Sequence, residues 1–198
     1  MSSSCVYLID DDELILELHA ELLSAGGLKV RCFSSSRAFL SSYTTASDCE
    51  CILSDLRMPE LGGLELQAEL LARDVETPLI FITGHADVAT AVKAMRRGAF
   101  DYVEKPVDGG HLIQRVRAAL TRCAEIRLAG QARLERERRL ALLTAQERRI
   151  AEWVVEGKSS REVSELAGIS VRTVENHRAR IMDKLQVGSV VEMVRVLL

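Results

Sequence analysis

The chain has 198 residues, 47% of them hydrophobic, 28% charged and only 4% aromatic. That suffices for one large domain or two small ones with real cores, and it excludes disordered, collagenous and low-complexity classes. No apolar run approaches the roughly 18 to 20 residues of a membrane helix, and Met1 to Cys5 lacks the basic-then-apolar layout of a secretory signal. The sequence therefore predicts a soluble, cytoplasmic protein with no membrane partner. The net charge of −3 hides an asymmetry: residues 1–124 carry 12 Lys and Arg against 18 Asp and Glu, whereas residues 125–198 carry 14 against 11. An acidic front half suits a cation, and a mildly basic tail suits a polyanion. Cys5, Cys32, Cys49, Cys51 and Cys123 contain no CxxC pair, which predicts reduced, mostly buried thiols rather than a zinc module or a disulfide framework.

Up to about residue 108, short apolar runs alternate with stretches of helical spacing. Val6–Ile9, Leu28–Phe33, Cys51–Leu53, Leu79–Ile82 and Tyr102–Val103 read as strands, being short and rich in β-branched or aromatic residues. Leu14–Ser24, Arg37–Tyr43, Leu64–Arg73 and Val88–Arg97 read as helices, two of them stopped by Gly26-Gly27 and Gly98. Strict alternation implies a doubly wound α/β domain with a five-stranded parallel sheet. A fifth helix begins near His111, with Leu112, Val116, Ala119 and Cys123 on its apolar stripe. Residues 121–141 form a helical linker rich in Arg and Glu, with Gly130 as its point of interruption. Thr144/Glu147 and Ser159/Glu162 match capping boxes, and Gly157 and Gly168 sit where helices should stop. Residues 142–198 thus read as an all-α, four-helix domain behind a first domain of residues 1–120.

Asp10-Asp11-Asp12 follows the first strand and Asp55 the third. If the sheet order is 2-1-3-4-5, these strands are neighbours, and the crevice at their carboxyl ends is where such sheets bind ligands. Crowded carboxylates repel unless a hard cation sits among them, and Mg²⁺ is the economical choice. Thr83, after the fourth strand, and Lys105-Pro106, after the fifth, bring a hydroxyl and an ammonium to the same edge. A metal, a carboxylate nucleophile, a hydroxyl and a lysine together describe a phosphoryl site. Asp12 stands apart as the start of the first helix. His19, His85, His111 and His177 have no metal-ligand spacing.

The motifs LIDDDE, SDLRMPELGGLEL, FITGHAD and DYVEKP, in this order, resemble the CheY-like receiver domain of two-component response regulators over residues 5–120. The resemblance implies Asp55 as phosphoryl acceptor. It implies Mg²⁺ (or Mn²⁺) on Asp11, Asp55 and the backbone carbonyl of Arg57, with Asp10 helping through water. Thr83 and the Gly84 N–H would hold the new phosphoryl oxygens, Lys105 would pair with them, and Tyr102 would be the aromatic switch. A sensor histidine kinase would be the phosphoryl donor, and phosphorylation would promote a homodimer.

In the second domain, Ser160–Ala167 reads as a supporting helix, Gly168-Ile169-Ser170 as a turn and Val171–Lys184 as a recognition helix. Its apolar face would hold Val171, Val174, Ile181 and Leu185 in the core, leaving Arg172, Glu175, Asn176, Arg178, Ala179, Arg180 and Lys184 outward. Residues 143–198 resemble the LuxR/NarL-type helix-turn-helix, the arrangement of FixJ/NarL-type regulators, and the overall wording is similar to regulators of aromatic-hydrocarbon breakdown. By that resemblance Glu175, Asn176 and Ala179 would meet base edges of promoter DNA. Lys158, Thr173, His177, Arg180 and Lys184 would approach phosphates beside Arg172, and RNA polymerase would be a further partner. Glu175 departs from relatives that carry lysine there. Two other readings stand beside this one. An aspartate-nucleophile phosphatase would want a second acid two residues past Asp55, where Arg57 stands; a phosphorylation-independent DNA binder would be indifferent to Asp55→Asn.

Overall fold

The computed structural model describes residues 4–44, 49–84 and 87–197. The chain folds as two compact units, Met1–Leu128 and Ala129–Leu198. In the first, β1 (Cys5–Ile9), β2 (Lys29–Phe33), β3 (Glu50–Asp55), β4 (Leu79–Thr83) and β5 (Asp101–Glu104) form one parallel sheet of order 2-1-3-4-5. Between them run α1 (Glu13–Ala25), α2 (Ser36–Ser42), α3 (Gly63–Ala72) and α4 (Val88–Arg96). The doubly wound sheet expected from the alternation is therefore present; β2 starts one residue later than expected, and the other four strands extend by one or two residues at one or both ends.

The sheet is buried on both faces because alternate side chains point to opposite sides. Val6, Leu8, Cys51, Leu53, Ile80 and Ile82 enter the core shared with Leu16 and Leu23 of α1. Tyr7, Ile9, Ile52, Leu79 and Phe81 enter the opposite core with Phe39, Leu66 and Leu70 of α2 and α3. The central strands β1, β3 and β4 are buried almost throughout, while the edge strands β2 and β5 are partly exposed. α4 is held more sparingly: Ala94 is its one buried position among the described residues. There the buried Gln67 side chain of α3 donates from Nε2 to the Ala94 carbonyl at 3.0 Å.

α5 (Gly109–Ala141) starts two residues before the expected point, its first turn capped by Asp108, whose carboxylate accepts from the His111 N–H at 2.9 Å. It runs 33 residues without a break, so Gly130 does not interrupt it. Salt bridges Arg133–Glu137 and Arg139–Glu135, each one turn apart, support its exposed second half. In the second unit, α6 (Ala145–Val155), α7 (Ser160–Ala167), α8 (Val171–Leu185) and α9 (Val190–Leu197) enclose a core of Ile150, Val154, Val163, Val174, Ile181, Leu185 and Met193. Both predicted capping boxes are formed. Gly168 ends α7 at φ +66°, a left-handed backbone where a side chain would be strained.

Two expectations are corrected. Val171 lies 41% exposed instead of in the core, because at the first position of α8 it projects past the end of the packed face. The thiols are less uniformly buried than predicted: Cys51 and Cys123 are buried, Cys5 and Cys49 half-buried, and Cys32 exposed, since it sits on edge strand β2.

Candidate functional site

β1 and β3 pair in register, Ile9 opposite Ser54, so their carboxyl ends deliver Asp10 and Asp55 to one crevice. Both carboxylates are nearly buried, at 4% and 9% exposure. Each of their oxygens accepts a hydrogen bond. Asp10 accepts the Asp12 N–H on Oδ1 at 3.0 Å and the Lys105 ammonium on Oδ2 at 2.7 Å. Asp55 accepts the same ammonium on Oδ1 at 2.9 Å and the Arg57 N–H on Oδ2 at 2.6 Å. Lys105 thus bridges two acids brought from different strands. Its own placement comes from the end of β5, where its N–H donates to the Thr83 carbonyl at 2.8 Å and a cis bond leads to Pro106. Burial works against its charge, but the hydrogen bonds and charges of Asp10 and Asp55 outweigh it and hold the ammonium above its ordinary pKa.

The three consecutive acids part company as the strand turns into a helix. Asp10 faces the crevice, Asp11 is exposed, and Asp12 caps α1 by accepting from the Leu14 and Ile15 N–H groups, as predicted for it. The β3–α3 loop is held tightly: the Gly63 N–H donates to the Leu56 carbonyl at 3.0 Å. A Cβ on Gly63 would stand 2.7 Å from the Asp55 carbonyl oxygen and 2.8 Å from the Phe81 ring. Glycine is therefore required for the backbone approach that places Asp55. Thr83 is buried at the end of β4, and Gly84 beside it is exposed. Tyr102 is half-buried on β5, its hydroxyl buried and without a hydrogen-bond partner among the described residues. His85 lies outside the described residues.

The donor chemistry at this edge suits a hard divalent cation. Asp10 and Asp55 already converge on one cationic group, with Asp11 next along the chain and a backbone carbonyl available at Arg57. Among the described residues, no three His, Cys, Asp or Glu side chains are gathered into a metal-holding set. The ammonium of Lys105 stands between two of the acids instead.

In the second unit, Ser170 caps α8 by accepting the Thr173 N–H at 3.2 Å and bonding the Thr173 hydroxyl at 2.8 Å. Arg172, Glu175, Asn176, Ala179 and Arg180 are exposed on α8, forming the outward face expected of a recognition helix. Lys158 is half-exposed in the turn before α7, with Glu156 at 3.8 Å. Thr173 is only partly exposed and takes part in the cap. His177 is half-buried, with Nδ1 buried and unpartnered among the described residues, and Arg178 reaches back to the Ser160 hydroxyl at 3.2 Å.

Lys184 departs from the expectation. Its ammonium turns inward to Glu147 at 2.6 Å, because that carboxylate is 3% exposed and needs a counter-charge. Glu147 also accepts the Thr144 N–H at 2.8 Å. Chiefly through Lys184, then Thr144, its pKa falls to about 2. The sequence reveals Glu147 as half of a capping box; its tie to α8 spans 37 positions and has no local signature.

One family match falls within each of the two units. Residues 6–117 match the response regulator receiver domain, and residues 141–197 match the bacterial regulatory proteins of the luxR family. The chain is 43% identical over 193 residues to the transcriptional regulatory protein FixJ of Azorhizobium caulinodans, covering 98% of this chain and 91% of that protein. It is 36% identical over 194 residues to the response regulator protein TodT of Pseudomonas putida, covering 98% and 85%. The solved structure of response regulator StyR resembles it with a TM-score of 0.90 at 31% identity, covering 99% of this chain and 98% of that one. The expected resemblance to FixJ-type regulators is thereby met. An acid-lined crevice closed by a lysine, followed in the same chain by a capped helix-turn-helix, belongs with these matches: the chain is a member of the two-component response regulators, a receiver domain joined to a LuxR-type DNA-binding domain.

Proposed function

We propose that this regulator is switched by phosphorylation of Asp55, with a sensor histidine kinase as donor, and that the phosphorylated form dimerises and binds promoter DNA. The observation that carries the reading is the Lys105 bridge, at 2.7 and 2.9 Å, between Asp10 and Asp55. An Asp55 carboxylate oxygen attacks the phosphorus of a phosphohistidine, the P–N bond breaks, and the imidazole leaves. Lys105 is held charged and moves onto the phosphoryl oxygens as Asp55 gains them. The Thr83 hydroxyl and Gly84 N–H take the remaining oxygens. Mg²⁺ (or Mn²⁺), held by Asp11, Asp55 and the Arg57 carbonyl with Asp10 acting through water, would neutralise charge on the transferring group. The product adds up to about two negative charges, drawing Thr83 inward so that Tyr102, whose hydroxyl has no hydrogen-bond partner among the described residues, can follow.

The exposed Val88, Val92 and Met95 of α4 offer an apolar face for the dimer. On DNA, Glu175, Asn176 and Ala179 would meet base edges, while Lys158, Arg172, Thr173, His177 and Arg180 approach phosphates. Lys184 would join them only by leaving Glu147. A single recognition helix buries little surface, so paired half-sites are the natural target, with RNA polymerase as the partner at the promoter. The test is intact-protein mass after incubation with Mg²⁺ and acetyl phosphate, for wild type, Asp55→Asn and an EDTA control. One phosphoryl group added to wild type alone is the expected outcome. Addition to Asp55→Asn would move the acceptor elsewhere, and DNA affinity unchanged by Asp55→Asn under phosphorylating conditions would favour a phosphorylation-independent binder.

A further inference from the structure

Four of the five cysteines gather at the amino-terminal edge of the sheet, the end opposite Asp55. Cys5 opens β1 and its N–H donates to the Cys49 carbonyl at 3.1 Å. Cys49 and Cys51 are two residues apart on an extended segment, so their side chains leave on the same face. That face is the one covered by α5: Cys51 enters the core shared with Leu112, Val116 and Ala119 of that helix, and Cys123 is buried one turn further along it. Cys123 is fixed there by the Glu50 N–H, which donates to its Sγ at 3.1 Å across 73 positions of sequence. Because the Glu50 amide is joined directly to Cys49, this bond lays the backbone at Cys49 against the Cys123 sulfur. The phosphoryl mechanism uses none of these sulfurs.

We infer that Cys49 and Cys123 are a reversible oxidation site, closing into a disulfide when the protein meets a peroxide. The roles follow from burial. Cys49 is half-buried and open to a small oxidant, whereas Cys123 is buried and held thiol-like, burial pushing its pKa up. The Cys49 thiolate attacks one oxygen of hydrogen peroxide; the O–O bond breaks, and the departing hydroxide takes a proton to become water. Cys49 is left as a sulfenic acid. The Cys123 sulfur then attacks the Cys49 sulfur, the S–O bond breaks, and the hydroxyl leaves with the Cys123 proton as a second water. Two thiols and one peroxide give one disulfide and two waters, and a dithiol reverses the change. Cys51, fully buried behind the pair, takes no part. The new bond would tie the start of β3 to α5, closing a loop that contains most of the receiver.

The full-length protein is treated with increasing hydrogen peroxide, blocked with an alkylating agent and digested without reductant. The expected product joins the peptide 38–57 to the peptide 123–127, two hydrogens lighter than the sum of its parts, and vanishes after dithiothreitol. Cys51→Ser keeps it, while Cys49→Ser and Cys123→Ala each abolish it; Cys49→Ser, altering a half-buried residue outside any strand, keeps the question open if Cys123→Ala is unstable. A second reading is thermal: the oxidised receiver melts several degrees higher in wild type and in Cys51→Ser but not in Cys49→Ser. A cross-link that survives Cys49→Ser, or oxidation confined to exposed Cys32, would overturn the proposal.

Discussion

Replacing Glu147 by Gln removes one charge from the second unit and leaves the shape of the side chain nearly unchanged. In the wild type the carboxylate is 3% exposed, accepts from Lys184 at 2.6 Å and from the Thr144 N–H at 2.8 Å, and has its pKa lowered from 4.5 to about 2. A carboxyl whose folded pKa lies below its unfolded value stabilises the fold above the unfolded value and loses that contribution as pH falls through the folded one. At about 1.4 kcal/mol per pKa unit the shift corresponds to about 3.5 kcal/mol at neutral pH. Lys184 is 33% exposed, so solvent screening makes this a ceiling, and a loss of about 1.5 to 3 kcal/mol is expected for Glu147→Gln. The protein has one tryptophan, Trp153, on α6, stacked beneath Arg149 at 5.3 Å. Its fluorescence therefore follows the unfolding of this unit alone. Urea titrations at several pH values should show the variant less stable at pH 7, with the gap closing between pH 4.5 and 2. A gap that does not change with pH, or no gap at pH 7, would refute the ion-pair account.

Four further substitutions have expected outcomes. Gly63→Ala forces a Cβ to 2.7 Å from the Asp55 carbonyl oxygen; it should cost the receiver about 1 to 3 kcal/mol in denaturant titration and slow phosphoryl uptake from acetyl phosphate, and a variant normal in both would show the loop to be slack. Lys105→Met leaves two nearly buried carboxylates without their shared cation, so added Mg²⁺ should raise its melting temperature more than it raises that of wild type; an equal rise would mean that Lys105 and the divalent ion do not share the site. In fluorescence anisotropy with operator DNA, Arg180→Ala should lower the slope of log K against log salt by about 0.9. Asn176→Ala should leave that slope alone and relax base preference by about 1 to 3 kcal/mol, and the reverse pattern would exchange the two assignments.

The receiver was legible because its signals are local. Each strand ends where its apolar run meets an acid, a hydroxyl or a lysine, so Asp10, Asp55, Thr83 and Lys105 can be placed at one edge from topology alone. Asp12 is readable as a cap for the same reason, its partners lying two and three residues ahead. What the sequence hides are contacts closed by folding between distant positions. Nothing in the neighbourhood of Lys184 says that Glu147 will be buried opposite it, and an outward basic residue is the natural reading of a lysine on a recognition helix. Nor does the spacing of Cys49 and Cys123 foretell that an amide between them in space will fix one beside the other. Gly130 misled in the opposite direction: a glycine weakens a helix by about 1 kcal/mol relative to alanine, and Arg–Glu pairs one turn apart on the following segment offset part of that cost.

The sparing attachment of α4 has a further meaning for how a small chemical event can be felt at a distance. Among the described residues, a helix that contributes one buried side chain and receives one side-chain hydrogen bond from a neighbouring helix has little cohesive energy to surrender. Most of the receiver could not shift without breaking its jigsaw of leucine, isoleucine and phenylalanine. α4 can be re-seated at the expense of an alanine contact and one amide. The domain is in this sense divided into bedrock and topsoil, and the crevice adjoins the topsoil.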